Sequence, residues 1–190
     1  MRLSISGIIE RCKRFELSES CVESCLDADS ARDRVFLSAW RGGLSRLTRR
    51  ECAQIAGVTG HVAESLVELV LEPLGWFPLW HFSGPGRHGV DLVFLAPGDL
   101  VVAVEVKGTL VKGRTPRLSG GELAQMTTAW IDKPDNPGMT NLMLDSKDTY
   151  GGIVIVNIAD LTWRVLLSKD MQTFESVEHV EQLQDLDWLR

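Results

Sequence analysis

The first quarter of the chain repeats apolar residues at helical spacing. Residues 5–26 and 30–47 both follow this period, so we predict a helix in each segment. A run of polar residues at 27–30 separates the two segments. The sequence therefore predicts a helical N-terminal region over residues 1–57.

Two shorter helices are predicted between Thr48 and Pro73. Thr48 and Glu51 form a capping-box pattern, which marks the start of the first one. Gly57 is expected to end that helix. The second helix runs over 60–72, with its apolar side chains on one face, and stops before Pro73.

After Gly75 the pattern changes to short apolar runs bounded by turn residues, which is typical of β-strands. Strands are predicted at residues 76–82, 90–95, 100–107, 152–158 and 162–167. Helices are predicted at 122–131 and 173–189, with a loop at 134–138. The sequence therefore predicts an α/β or α+β domain over residues 58–190, with a mixed sheet and helices on its faces.

The chain shows no signal for membrane insertion or secretion. It has no run of about 18 apolar residues, so no membrane span is predicted. Its first ten residues lack the apolar segment and cleavage site of a signal peptide. All four cysteines lie within the first 52 residues and the four histidines are scattered, which favours reduced thiols over a zinc site. Together these features predict a cytoplasmic protein.

The net charge of −6 gives no general attraction to nucleic acid, but the charges are segregated. Residues 31–60 hold six arginines against two acids, and residues 107–117 hold four cations and no acid, so each segment carries +4. Residues 171–190 hold five acids against one arginine. This segregation fits solvated faces, and it also fits two basic patches beside a binding site.

The strongest candidate for chemistry lies between Asp91 and Lys107. A turn at 97–99 between the two strands would place Asp91 directly across from Glu105. A two-residue turn would offset the pair by one, and a β-bulge would then be needed to restore the pairing. Glu105 and Lys107 are two residues apart, so both point to the same side of their strand. Two carboxylates and one ammonium group would then meet at one point.

A structural ion pair explains part of this pattern. Glu-x-Lys alone is common, and Lys107 could neutralise Glu105 or Asp91 on a solvated sheet edge. The aspartate across the hairpin changes the balance, because burying charges in a valine-rich strand costs several kcal/mol unless they are paired or bind a metal. We therefore predict an active site here.

The Asp…Glu-Val-Lys pattern on a hairpin resembles the PD-(D/E)XK superfamily, the restriction-endonuclease-like nucleases. The resemblance covers residues 60–158 and implies a core of helix, three strands, helix and strand (αβββαβ). Gly60-His-Val-Ala-Glu64 is similar to a Gly-x-x-x-Glu pattern of the family's first helix. Gln125-Met-Thr-Thr-Ala-Trp-Ile131 is similar to a Gln-Met-Ser-x-x-Trp-Ile segment in nuclease domains of bacterial polymorphic toxins. Val90 departs from the pattern, since it stands where the motif name has proline.

The resemblance implies a role for each residue of the pattern. Asp91, Glu105 and the backbone carbonyl of Val106 would bind Mg²⁺ or Mn²⁺, which prefer oxygen ligands. Glu64 would bind the metal directly or through water, although it also fits an ordinary position on a solvated helix. Lys107 would orient or deprotonate the attacking water and contact the scissile phosphate.

The resemblance also implies the substrate. Gln125 would contact the catalytic lysine or the phosphate backbone, and it fits equally a polar helix surface. Basic side chains on two loops are the expected contacts to phosphate: Arg87, His88, Lys112, Arg114 and Arg117. The implied activity is metal-dependent cleavage of nucleic acid, with DNA favoured over RNA, by a bacterial toxin or defence effector. A second copy of the chain, or an inhibitor or immunity protein, would be its protein partner.

A second interpretation uses residues 47–66. Ala53 and Gly57 would occupy the small positions of a helix-turn-helix, and Thr59 would open its recognition helix. The chain would then be a DNA-binding regulator without catalysis. The predicted recognition helix carries three glutamates, which DNA would repel, so the nuclease is the favoured interpretation.

Overall fold

The computed structural model describes residues 12–44, 47–81, 89–116 and 126–190. This part of the chain forms one mixed seven-stranded sheet with helices packed on its faces. The predicted α+β class is therefore confirmed. In the described ranges no helix combines the length and the apolar character needed to cross a membrane.

Every strand predicted from the sequence is present, with ends shifted by a few residues, and two short strands join them. The strands are β1 (Phe15–Glu16), β2 (Phe77–His81), β3 (Leu92–Ala96), β4 (Leu100–Thr109), β5 (Tyr150–Asn157), β6 (Thr162–Ser168) and β7 (Glu175–Ser176). Their order in the sheet is β1-β6-β5-β4-β3-β2, with β7 beside β6. All neighbouring strands are antiparallel except β4 and β5, which are parallel.

Five α-helices lie in the described ranges. They are α1 (Glu19–Ser24), α2 (Ala31–Gly42), α3 (Arg49–Leu71), α4 (Thr128–Ile131) and α5 (Pro137–Asn141). The helix predicted at 30–47 is confirmed over Ala31–Gly42 as α2, whose first turn is capped by the Ser30 side chain. The capping box of Thr48 and Glu51 is confirmed at the start of α3.

The helix break predicted at Gly57 is wrong, because α3 is continuous from Arg49 to Leu71. Ile55, Val58 and Val62 are buried on one face of α3, so the apolar period runs through the glycine without a shift. Packing of that face outweighs the cost of about 1 kcal/mol for a glycine within a helix. The turn that a helix-turn-helix requires is therefore missing, and the predicted boundary between residues 57 and 58 falls inside a helix.

Of the helix predicted at 5–26, the structure confirms only Glu19–Ser24, and residues 12–18 are not helical. Residues 5–11 lie outside the described residues, and Phe15 and Glu16 form strand β1 on the edge of the sheet. Phe15 is buried against Trp163, with ring centroids 5.3 Å apart, whereas Glu16 is exposed. This inside-outside alternation fits a strand, and helix α1 begins only at Glu19.

The C-terminal helix predicted at 173–189 is also wrong. The segment forms strand β7 and two 3₁₀ turns, Val180–Leu183 and Asp187–Leu189. Its inward-facing apolar residues recur every third position, at Phe174, Val177, Val180, Leu183, Leu186 and Leu189. A period of three matches the 3₁₀ repeat of 3.0 residues per turn rather than the α-helical 3.6.

The helix predicted at 122–131 is shorter in the described chain. Residues 122–125 lie outside it, and α4 begins at Thr128. The loop predicted at 134–138 contains the start of α5, whose first residue is Pro137. Proline suits that position because the first turn of a helix leaves its N–H groups without helical partners.

Helix α3 covers one face of the sheet and positions the cleft described below. Val62 and Leu66 of α3 are fully buried. They share the main core with Val104, Val106 and Val154 from the two central strands. The opposite face is covered by the segments around α4 and α5, where Ala103 of β4 packs in a second core.

Candidate functional site

The hairpin of β3 and β4 has the predicted register. Ala96 pairs with Leu100, so the turn is the three residues 97–99, and Leu92 pairs with Val104. Asp91 precedes the first residue of β3, and the same register carried one step further sets it opposite Glu105. The sequence therefore predicted the register of this hairpin correctly.

The Asp91 side chain lies where β4 extends beyond the end of β3. The backbone N–H of Val106 donates a hydrogen bond to Asp91 Oδ2 at 2.7 Å. In a strand the N–H and C=O of one residue point to the same neighbour. The carbonyl oxygen of Val106 therefore points to the same edge of β4 as the Asp91 carboxylate.

Glu105 brings the second carboxylate from within β4. Its flanking residues Val104 and Val106 belong to the core beneath α3, so alternation directs Glu105 to the opposite face of the sheet. The side chain is only 2% exposed. Lys107 Nζ lies 2.6 Å from Glu105 Oε1, as expected for two residues on the same side of a strand. Lys107 itself retains contact with solvent.

The surroundings of Asp91 disfavour its negative charge. Burial, followed by the nearby carboxylates of Glu105 and Glu64, raises the pKa of Asp91 to about 8. The hydrogen bond from Val106 and the charge of Lys107 act in the opposite direction. Negative charge is therefore concentrated at this point beyond what Lys107 neutralises, which favours an additional cation.

A cleft of about 490 Å³ opens beside these groups, between α3 and the end of β4. Glu64, Asp91 and Lys107 line it together with Cys52 and Thr59. The cleft is therefore partly charged and partly apolar, and it leads from the surface of α3 to Asp91 and Lys107, whereas Glu105 does not line it.

Gly108 allows α3 to lie this close to β4. A Cβ atom at Gly108 would lie 2.7 Å from Ala63 Cβ and 2.9 Å from the carbonyl oxygen of Thr59. Real Cβ contacts are almost never that short, so any other residue would push α3 away from the strand. The residue after Lys107 thus fixes the width of the cleft.

Glu64 lies in the cleft, but its carboxylate has a different partner from the one predicted. Glu64 Oε2 lies 3.3 Å from Nε2 of His81, which is on β2. The other ring nitrogen, His81 Nδ1, lies 3.0 Å from Glu68 Oε2. Glu64 still contributes to the field at Asp91. It stands between two groups of polar side chains.

His81 carries a positive charge at neutral pH in this arrangement. Its hydrogen bonds with Glu64 and Glu68 raise the pKa of His81 to about 10, against the lowering effect of partial burial. His61, one turn before Glu64 on α3, completes a group in which His61, Glu64 and His81 each offer a donor atom within 4.8 Å of the others. Among the residues that the structure describes, this is the one group of three histidine, cysteine or acidic side chains whose donor atoms lie this close together.

The remaining predicted site residues are not brought into the cleft. Gln125, Arg87, His88 and Arg117 lie outside the described residues. Lys112 and Arg114 are described and exposed, on the turn that follows β4. That turn is held to the β5–β6 connection, since the Gly113 N–H donates to Asp160 and the Asn157 side chain donates to the Arg114 carbonyl. The side chains of Lys112 and Arg114 therefore lie at the end of the sheet where β4 ends.

Sequence reasoning missed His61 and His81. It treated the histidines as scattered, because they are 20 positions apart along the chain. The spacing of His61 and Glu64, three residues apart on a helix, was the available signal. His81 could not be assigned to this group until β2 was known to lie beside α3.

Comparison with family models, curated proteins and solved structures found no match for this chain. The function is therefore argued from the chain's own geometry.

Proposed function

We propose that the chain is a metal-dependent nuclease that hydrolyses phosphodiester bonds. The observation that carries the proposal is that Glu105 adjoins both Asp91 and Lys107, and that Asp91 and Lys107 line an open cleft. The order of α3, three antiparallel strands, two short helices and a parallel strand supports a restriction-endonuclease-like core.

The donor atoms at this point suit Mg²⁺ or Mn²⁺. Asp91, Glu105 and the Val106 carbonyl offer oxygens only, which these hard cations prefer, and the cleft leaves room for water ligands. The raised pKa of Asp91 also favours a bound cation, because a cation would offset the repulsion that the ionised Asp91 experiences from Glu105 and Glu64. Such an ion, when bound, would acidify water and stabilise negative charge on a phosphate.

Lys107 and Glu105 then perform separate tasks. The Lys107 ammonium group, held by Glu105 at 2.6 Å, is oriented by a side chain that is itself fixed by burial. From this position Lys107 can contact a phosphate oxygen and align water for attack. Glu105 both holds Lys107 and offers an oxygen to the ion.

The substrate we propose is DNA in preference to RNA. Lys112 and Arg114 extend the positive charge of Lys107 along the end of the sheet, which suits a phosphate backbone. All four cysteines lie in the described part of the chain and are free thiols, which fits a reducing cytoplasm. We propose a bacterial toxin or defence role, with an immunity protein or a second copy as partner, on the resemblance of the sequence pattern alone.

The test is incubation of the purified protein with supercoiled plasmid, linear single-stranded DNA and RNA, each with Mg²⁺, Mn²⁺ or EDTA. We expect nicked and linear plasmid with either cation and intact plasmid with EDTA. A parallel thermal melt should show that Mg²⁺ raises the melting temperature of the wild type by mass action, and much less that of Asp91→Ala. Intact substrates under every condition, with equal shifts for both proteins, would count against the proposal.

A further inference from the structure

A group of nitrogen and oxygen donors that includes Glu64 joins α3 to β2. His61 and Glu64 are three residues apart on α3, so their side chains occupy the same face of the helix. His81 reaches them from β2, and one donor atom of each residue lies within 4.8 Å of the others. His61 is exposed, and the side chains of His81 and Glu64 are 27% and 20% exposed, so an ion can enter from solvent.

The distance between Glu64 and His81 suits a shared ligand. Metal–ligand bonds of about 2.1 Å at a tetrahedral angle put neighbouring nitrogen and oxygen donors about 3.4 Å apart. His81 Nε2 and Glu64 Oε2 are 3.3 Å apart. A divalent ion could therefore take the place of the proton between them with little movement of either side chain.

Glu68 supplies a second and independent feature of metal sites. Metal-binding histidines almost always donate their other ring N–H to a carboxylate or carbonyl, which fixes the ring and strengthens the ligand. His81 Nδ1 lies 3.0 Å from Glu68 Oε2, and Nε2 faces Glu64. The ring is thus already held with one nitrogen on a carboxylate and the other turned towards the donor group.

We propose that His61, Glu64 and His81 form a binding site for a divalent transition metal of the Zn²⁺ or Co²⁺ type, separate from the oxygen site at Asp91 and Glu105. Two imidazoles and one carboxylate favour these ions over Mg²⁺, which prefers oxygen. Three protein ligands leave a fourth position for water or substrate. The ion would attach edge strand β2 to α3 and hold Glu64 beside Asp91.

The test uses the metal-stripped full-length chain titrated with Co²⁺ and followed by visible absorption, which reports nitrogen ligation directly and requires no cleavage. We expect one Co²⁺ per chain, displaced by Zn²⁺ and not by excess Mg²⁺. His81→Ala and His61→Ala should each weaken Co²⁺ binding by at least about tenfold, and Glu68→Leu by about 10–100-fold. Because His61 is exposed, its replacement leaves the core intact and keeps the test valid if His81→Ala does not fold.

Matched controls separate this site from its neighbours. Glu72→Leu removes an exposed carboxylate one turn further along, and His179→Gln removes an exposed histidine elsewhere, so both should bind Co²⁺ as the wild type does. Asp91→Asn should also keep the Co²⁺ spectrum, whatever its cleavage activity. Three results would overturn the proposal. They are absence of Co²⁺ binding by the wild type, Co²⁺ binding by both histidine variants as tight as that of the wild type, and loss of the Co²⁺ spectrum in Asp91→Asn.

Discussion

Burial, neighbouring charges and a hydrogen bond all act on the Asp91 carboxylate. Its carboxylate accepts a hydrogen bond from Val106, yet burial and Glu105 still raise the pKa of Asp91 to about 8. A group this disfavoured as an anion costs stability in the metal-free protein when it is ionised. This stability cost is consistent with the proposed function, in which the ionised Asp91 carboxylate binds a cation.

The first prediction concerns Asp91 in the metal-free protein. Because folding raises the pKa of Asp91 from 3.8 to about 8, its contribution to stability is fully present below about pH 4 and is lost as the pH rises to 8. Asp91→Asn keeps an acceptor for the Val106 N–H and removes the charge. With EDTA at pH 9 the variant should therefore be more stable than wild type, on the order of 1 kcal/mol or more.

Urea denaturation of both proteins at pH 5 and pH 9 measures this difference. Asp99→Asn is the matched control, since Asp99 is exposed in the turn of the same hairpin, and it should leave the pH dependence unchanged. If Asp91→Asn proved no more stable at pH 9 than wild type, Asp91 would not be under the repulsion described here.

The second prediction concerns Lys107. Lys107→Met leaves the buried Glu105 carboxylate without the ammonium group at 2.6 Å, which should cost about 3 kcal/mol of stability. Adding Glu105→Gln should restore much of that loss. Lys112→Met, an exposed lysine on the turn after β4, should change stability by less than about 0.5 kcal/mol. A double-mutant cycle by chemical denaturation measures all three, and an unrecovered loss would show that Lys107 acts through other contacts.

At the scale of elements, α3 and its contact with β4 decide the shape of the site. One glycine of each element shows what that contact requires. Gly57 lies exposed within α3, where a Cβ would meet nothing within 4 Å, whereas Gly108 lies where α3 touches β4.

The third prediction compares these two glycines. Gly57→Ala should stabilise the protein by about 0.5–1 kcal/mol, because alanine is the better helix former and has room. Gly108→Ala should destabilise it by about 1–3 kcal/mol through overpacking. Thermal denaturation of both variants measures the two effects. Loss of stability in Gly57→Ala would indicate that the helix is interrupted there.

Periodicity predicted the central elements well and the terminal ones poorly. Strands β2 to β6 are bounded by glycine, proline and polar turns that leave few alternatives, and the turn at 97–99 fixed the register of Asp91. The sequence predicted two helices in place of α3 because glycine has a low helix propensity. In the structure, burial of a whole apolar face outweighs that propensity at Gly57. The last segment failed because its strict repeat of three apolar positions was read as an α-helical period, although such a repeat drifts steadily around an α-helix and fits the 3₁₀ geometry instead.

The same reasoning applies to the site. Asp91, Glu105 and Lys107 could be found because alternation and a short turn relate them directly. His61 and His81 could not, because their proximity depends on how an edge strand lies against a helix. Local pattern thus predicts contacts within a hairpin, while contacts between elements require the assembled fold.

At the scale of the whole molecule, exposed cations lie at both ends of the sheet, and two of them lie at the end to which β4 leads. Lys112 and Arg114 follow β4 at the end where β5 and β6 are connected. Lys169 follows β6 at the opposite end, since Ser168 pairs with Gly151 at the start of β5. A polyanion bound at the cleft would meet the first two cations and not the third.

The fourth prediction tests this orientation. DNA binding in EDTA, measured by fluorescence anisotropy over a range of salt concentrations, should weaken when Lys112 and Arg114 are both changed to glutamine. The slope of log affinity against log salt should fall in magnitude by about 2, one for each phosphate contact removed. Lys169→Gln should leave the slope as in wild type. An unchanged slope in the double variant would place the nucleic acid elsewhere.

The most direct test of the account is the rate of Mg²⁺-dependent plasmid cleavage by wild type, Asp91→Asn and Asp99→Asn. Both substitutions replace one carboxylate oxygen on the same hairpin, and only the first removes a charge from the cleft. The account predicts that Asp91→Asn lowers the rate by about 10³-fold or more, the equivalent of several kcal/mol of transition-state stabilisation, while Asp99→Asn cleaves like wild type. Equal cleavage by Asp91→Asn and wild type, with both proteins folded, would contradict it.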